Sequence, residues 1–355
     1  MNKTFKVARS LTRGTVVTSE KASSYQGKAV KTVVAAAVAA VMAGVAGSAM
    51  AADAYVGEGA NITVTAKADG SAAETTVSKV FEADADGKAT NKEFTAAGLT
   101  ADSTVYLHNG ALNLTATDKV EAEKEVTDVK GYGSINFTAV NGAEAHNAKL
   151  TVGRVNPQST TVIGNEGDLT ISFTNTGSGD KKGTSTLTSA NTYGLKLGAS
   201  EPTDHHQAGV VTLDVADGAK AVVEASAGKL TLDNVVFKNA GDLSLKGTSV
   251  AFNSAYEGTG GKLTVEAADA IELNDAFADK VVYVGSAVPD SIKDVTAQLN
   301  GNVTVAGDDA SFSAETLYVA EKNLTLKADG TATTANLTDT GKVTVGTDAA
   351  AATFT

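Results

Sequence analysis

A short pattern recurs along this chain and constrains its fold more than any other feature: a turn residue followed by apolar residues that alternate with Thr or Ser. It reads Gly167-Asp168-Leu169-Thr170-Ile171, Gly228-Lys229-Leu230-Thr231-Leu232 and Gly241-Asp242-Leu243-Ser244-Leu245. It returns as Gly261-Lys262-Leu263-Thr264-Val265, Gly301-Asn302-Val303-Thr304-Val305, Asn323-Leu324-Thr325-Leu326 and Gly341-Lys342-Val343-Thr344-Val345. Alternation at period two places the apolar side chains on one face of a strand and the hydroxyls on the other. With Val282 added, the first apolar residues fall at 243, 263, 282, 303, 324 and 343, in steps of 20, 19, 21, 21 and 19. A repeat of about 20 residues suits one coil of a parallel β-helix, whose coils bury their apolar faces only by stacking on one another. Upstream, candidate strands at Leu112, Ile135, Leu150, Leu169, Leu187 and Val211 are less evenly spaced, which predicts the same architecture with inserted loops. An antiparallel sandwich or barrel also uses regularly spaced short strands, but it needs hairpin dipeptides between neighbours, and these are few.

Composition agrees with many short strands. The chain has no Trp, three Pro and 35 Gly, and is rich in small and β-branched residues, a mixture that favours strands and tight turns. With no Cys, disulfides, thiolate metal sites and Cys nucleophiles are excluded.

The front of the chain is organised differently. Basic residues up to Lys31 precede an apolar run from Val33 to about Val45 and a small-residue stretch ending Ala49-Met50-Ala51. This is the layout of a secretory signal, with cleavage expected around Ala49, Ala51 and Ala52. The run is too short and too rich in Ala and Gly to hold a bilayer, since a spanning helix needs about 20 apolar residues. The expected organisation is an extended signal over 1–51 (basic region 1–31, hydrophobic region and cleavage site 32–51). An irregular solenoid over 52–229 and regular coils over 230–355 follow. Removing residues 1–51 leaves 22 basic and 40 acidic residues, a balance that argues against a nucleic-acid partner.

An ordinary signal spans about 15 to 30 residues, so the segment before Lys31 is an addition. Met1-Asn2-Lys3, Phe5-Lys6-Val7, Arg13-Gly14, Val16-Val17, Ser19-Glu20, Ala22 and Gly27-Lys28 resemble, in order and spacing, the extended signal peptide region of type V secreted proteins of Gram-negative bacteria, the autotransporters. Ala8-Arg9-Ser10 stand where that family usually carries a Trp-Asn pair. The resemblance implies export through the Sec machinery, then passage to the cell surface, outer membrane or medium. That passage would use the outer-membrane assembly machinery or a separate translocator barrel. It also implies a passenger that is commonly a right-handed parallel β-helix. No aromatic-rich alternating strands of a membrane barrel are expected before Thr355. The expected role is a non-enzymatic adhesin or host-contact protein whose partners are host surfaces or neighbouring cells, with no cofactor. A β-helical hydrolase acting on polysaccharide and a truncated, inactive product are the alternatives.

Chemistry-bearing residues are sparse. No Gly-x-Ser-x-Gly elbow occurs, so the cue for an activated Ser is missing. His205-His206 beside Asp204 could offer imidazole to a metal, but adjacent residues of a strand point opposite ways; His108 and His146 are isolated. A hydrolase on acidic sugars needs cations, and Arg154 is the only Arg outside the leader, which holds Arg9 and Arg13. Glu82, Asp84, Asp86, Gly87 and Glu93 match positions one, three, five, six and twelve of an EF-hand loop. Glu82 stands where Asp is expected, Ala89 where a larger aliphatic residue is, and an Asp-Gly turn accounts for the same residues.

Overall fold

The computed structural model describes strand backbone at Lys6–Ser10 and Gly14–Thr18, and residues 51–65, 73–153, 159–164, 166–199, 208–257 and 261–275. Further strand backbone covers Phe277–Val284, Ala297–Val305, Phe312–Ala320, Asn323–Leu326, Gly330–Thr338 and Lys342–Val345. The chain separates into two units at Ser48/Ala49. In the first, Lys6–Ser10 and Gly14–Thr18 pair antiparallel; the apolar run and Ala49 lie outside the described residues.

The second unit is a parallel β-helix. Its first ladder stacks Asn61–Thr65, residues 111–115, residues 134–138, Leu169–Thr176, Val211–Val215 and Val235–Asn239. A second ladder stacks Ala122–Val126, Ala148–Val152, Ser185–Ser189, Lys220–Ala225, residues 242–246 and residues 262–267. The third runs through Thr161–Ile163, Leu195–Leu197, Leu230–Leu232, residues 250–252 and residues 270–273 to 302–305, Asn323–Leu326 and Lys342–Val345. Ladders cross residue 230 without a break. Between residues 134 and 252 each coil contributes one strand per ladder, and the alternation along each strand turns one set of side chains inward.

The inward columns show why this sequence stacks. Ile62, Leu112, Ile135, Ile171 and Leu213 are in register and fully buried. In the neighbouring column Phe137 and Phe173 stack at 5.1 Å between ring centroids, both buried. On the second ladder Leu150, Leu187, Val223, Leu245 and Val265 align in the same way. That column begins with Lys124, in register with Leu150, whose Nζ donates to Leu99 O at 2.6 Å. Burial lowers the pKa of this ammonium. Leu99 follows the short 3-10 helix Ala96–Gly98, which with buried Phe94 covers this end of the core, a capping arrangement typical of solenoids. Phe94 follows the antiparallel hairpin of Phe81–Ala83 and Ala89–Glu93.

The even series of 20-residue steps is not one ladder. Leu243 does stack on Leu263, but Leu263 pairs with Ala297, and Val282 pairs with that same Ala297. Val303, Leu324 and Val343 stack in the third ladder. The upstream candidates divide similarly: Leu112 and Ile135 share a column of the first ladder, whereas Leu150 and Leu187 belong to the second. Among the described residues no helix is long and apolar enough to cross a membrane, which leaves membrane-crossing strands untouched.

Candidate functional site

The outward side of the first ladder differs in chemistry from that of the second. Four successive rungs present Asn61-Thr63-Thr65, Ala111-Asn113-Thr115, Ser134-Asn136-Thr138 and Thr170-Ser172-Thr174, each triplet in register with the next. All but Ala111 carry a hydroxyl or carboxamide, and none is charged. The matching outward positions of the second ladder include Glu123, Glu125, Lys149, Glu224, Lys246 and Glu266. The uncharged array ends where Asp214 faces Lys238 in the following rungs.

Its groups are ordered by one another. Asn136 Nδ2 donates to Asn113 Oδ1 at 2.9 Å and to Ser134 Oγ at 3.2 Å. Asn113 Nδ2 donates to Thr63 Oγ1 at 3.2 Å, and Thr63 Oγ1 to Asn61 Oδ1 at 3.3 Å. Thr174 Oγ1 donates to Phe137 O at 3.0 Å and lies 3.2 Å from Thr138 Oγ1, so the Thr138 hydroxyl supplies the proton between the two. Hydroxyls and carboxamides both donate and accept, so a face fixed in this way still offers hydrogen-bonding capacity outward. Strand spacing sets the rungs about 4.8 Å apart and same-face neighbours along a strand about 6.7 Å apart. The result is a grid of half-buried polar groups.

An aromatic border lies along one edge. Ala54–Val56, residues 105–107 and residues 129–131 stack in parallel just before the first-ladder strands of their coils. Tight bends join the two segments: a Cβ on Gly110 would lie 2.3 Å from Val56 O, and one on Gly133 2.4 Å from Gly110 O. Only glycine permits this backbone stacking. Outward from these segments, Tyr55 stacks on His108 at 4.7 Å, and Tyr132 meets His108 edge-on at 5.6 Å. Tyr132 is 39% exposed. Tyr106 lies in the rung of Tyr55 and Lys130, with the Lys130 ammonium 5.6 Å from its ring centre and Gly87 close against its ring.

Carboxylates flank this border. Asp53 Oδ1 accepts the Thr104 amide at 2.7 Å. The Asp128 carboxyl is pushed up to about 6, chiefly by burial; Glu166 adds to the rise, while Lys130 and the Val129 amide oppose it. Burial also raises the Tyr106 hydroxyl, with smaller contributions from Asp53, Asp128, Glu166 and Asp84.

Of the sequence candidates, His108 joins the ring contacts of this border, and Gly87 and Asp84 of the EF-hand-like segment approach it at Tyr106. His146 pairs with Val140 through its backbone and lines an open groove of about 420 Å³ with Asp118, Lys119 and Glu144. Arg154, Asp204, His205 and His206 lie outside the described residues. The EF-hand-like segment is a strand, a turn and a strand: Asp84 Oδ1 accepts from the amides of Asp86 and Lys88, and Glu82 pairs with Lys92 at 2.7 Å. The segment takes the form of an Asp-Gly turn, with Gly87 at φ +76°. Among the described residues no group of three His, Cys, Asp or Glu is placed to hold a metal ion. Ala51 is exposed; Ala52 packs against the core and its amide donates to Gly98 O at 3.3 Å.

The sequence reading missed Tyr55, Tyr106 and Tyr132. Their common signal is a Tyr within four residues of a Gly bend, in Tyr55-Val56-Gly57, Tyr106-Leu107-His108-Asn109-Gly110 and Tyr132-Gly133. No family model, characterised protein or solved structure matches the chain.

Proposed function

We propose that this chain is an exported passenger of the type V kind that acts at the cell surface or outside it by contact rather than catalysis. The observation that carries the contact reading is the four-rung uncharged face. A repetitive grid of equivalent polar groups suits many weak, simultaneous contacts, whose combined strength grows by effective concentration and needs no single pocket. The export reading rests on the leader residues quoted above, with the Sec machinery and an outer-membrane barrel or its assembly machinery as the partners.

The test is expression of the full chain in a Gram-negative host, with N-terminal sequencing of the product and protease accessibility on intact cells. The expected result is a mature chain beginning at Ala52 that external protease removes from cells or that is found in the medium. An uncleaved product confined to the cytoplasm would overturn the export reading.

A further inference from the structure

We propose that the uncharged face with its aromatic border binds a neutral polysaccharide, a ligand class that deepens the contact function above and rests on that reading for its biological setting. Three features of the face point to this chemistry. The twelve grid positions hold no charge in a chain of net charge −12, and the in-register charges on the strands flanking them are the carboxylates of Glu74, opposite Thr65, and Asp214, opposite Ser172, so the grid offers no cationic counter-charge to an anionic polymer. Its groups are hydroxyls and carboxamides repeating in two directions, the complement of a polymer that itself repeats neutral hydroxyls and needs partners able both to donate and to accept. Tyr132, exposed beside Ser134, adds a ring with an apolar surface and a polar tip, suited to the mixed surface of a sugar ring.

A second copy of this chain is the competing occupant, and the face is poorly made for it. Dry stacking of two such sheets would bury hydroxyls and amides already committed to one another, such as Asn136 to Asn113. It would gain little apolar area, because Ala111 is the only apolar side chain in the grid. Imperfectly paired buried polar groups are costly, whereas a hydrated glycan keeps water available to complete them.

The test uses the purified full chain and measures its retention on insoluble cellulose and chitin and on bead-coupled α-mannan, with bead-coupled polygalacturonate and heparin as acidic controls. Retention on at least one neutral polymer is expected, none on the acidic ones, with affinity changing less than about twofold between low salt and about 0.5 M NaCl. Thr115→Glu places a charge inside the grid and is expected to weaken retention about tenfold or more. If that variant folds poorly by circular dichroism, Thr115→Val, which keeps shape and strand preference but removes the hydroxyl, and Tyr132→Ala at the exposed border are expected to weaken it in the same direction. Thr186→Glu, on the second ladder in register with Lys149, is expected to leave it unchanged. Failure to bind any of the three neutral polymers, binding insensitive to the grid variants, or salt-sensitive binding to the acidic polymers would overturn the proposal. So would grid-dependent dimers in sedimentation velocity without polysaccharide retention. None of these outcomes depends on where the protein resides in the cell, so they stand apart from the export experiment.

Discussion

Asp128 combines burial with a carboxyl whose pKa stands near 6 rather than near 3.8. A carboxyl raised by folding binds its proton more tightly in the folded chain than in the unfolded one. Its stabilising contribution is therefore complete below the unfolded value and is lost as pH rises through about 6. A rise of two units corresponds to about 2–3 kcal/mol; because the residue retains partial contact with water, about 1–2 kcal/mol is the expected magnitude. Asp128→Asn keeps an oxygen for the Val129 amide and cannot ionise. The variant is expected to be more stable than the parent at pH 7 and to lose the difference near pH 4, as read by urea unfolding at the two values. A parent no less stable than the variant at pH 7 would refute the burial argument. At Gly131 the constraint is steric: φ is +91° and a Cβ would lie 1.9 Å from Leu107 O. Gly131→Ala is expected to cost more than about 2 kcal/mol, since strain and a backbone clash add, and thermal melts measure it directly.

Individual strands are held in register by apolar columns inside and by charge pairs outside. On the second ladder Glu224, Lys246 and Glu266 follow one another in register, and Lys246 Nζ reaches Glu266 Oε2 at 3.0 Å. The pair is partly exposed, so its own contribution is small, about 0.2–1 kcal/mol. Lys246→Glu would instead place three like charges on adjacent rungs, and the expected loss of about 1 kcal/mol should shrink in high salt. A salt-independent loss would assign the effect to packing of the Lys246 stem. These ladders also show what the sequence made legible and what it did not. Period-two alternation located strands such as Leu243–Leu245 and Leu263–Val265, and the recurrence indicated parallel stacking. Ladder membership was hidden, because Leu263 and Val303 carry the same alternation although they lie on different sides of a coil. Spacing counts the steps but does not mark where the chain turns a corner. The binding face was half visible: Thr and Asn alternate plainly with Ile, Leu and Phe, but their lack of charge becomes an array only when register sets Asn113 beside Asn136. The aromatic border was hidden for the same reason, since Tyr55, Tyr106 and Tyr132 are separated in sequence and meet through the pairing of their coils.

The solenoid unit as a whole is a stack in which each coil is buried mainly by the coil before and the coil after it. Its cooperativity therefore depends on the interfaces between neighbours rather than on one shared core. Leu187 is fully buried between Leu150 and Val223, within the stack, whereas Ile62 lies on the first parallel rung of its column, between Leu112 and the half-buried Val77 of the antiparallel strand Glu74–Ser78 that edges the stack. Truncating either to Ala removes similar apolar volume and is expected to cost about 2–5 kcal/mol locally. The consequences for the molecule should differ. Weakening an interior interface uncouples the coils on its two sides, so Leu187→Ala should split urea unfolding into two steps. Hydrogen exchange should then separate strands 111–115 and 134–138 from strands 235–239 and 242–246. Ile62→Ala should loosen its own coil and the cap over Leu99 first, leaving the strands beyond Leu169 protected until the main transition. Equal global loss of protection in both variants would show that the stack unfolds as one unit, with coupling between coils stronger than the cost of either cavity.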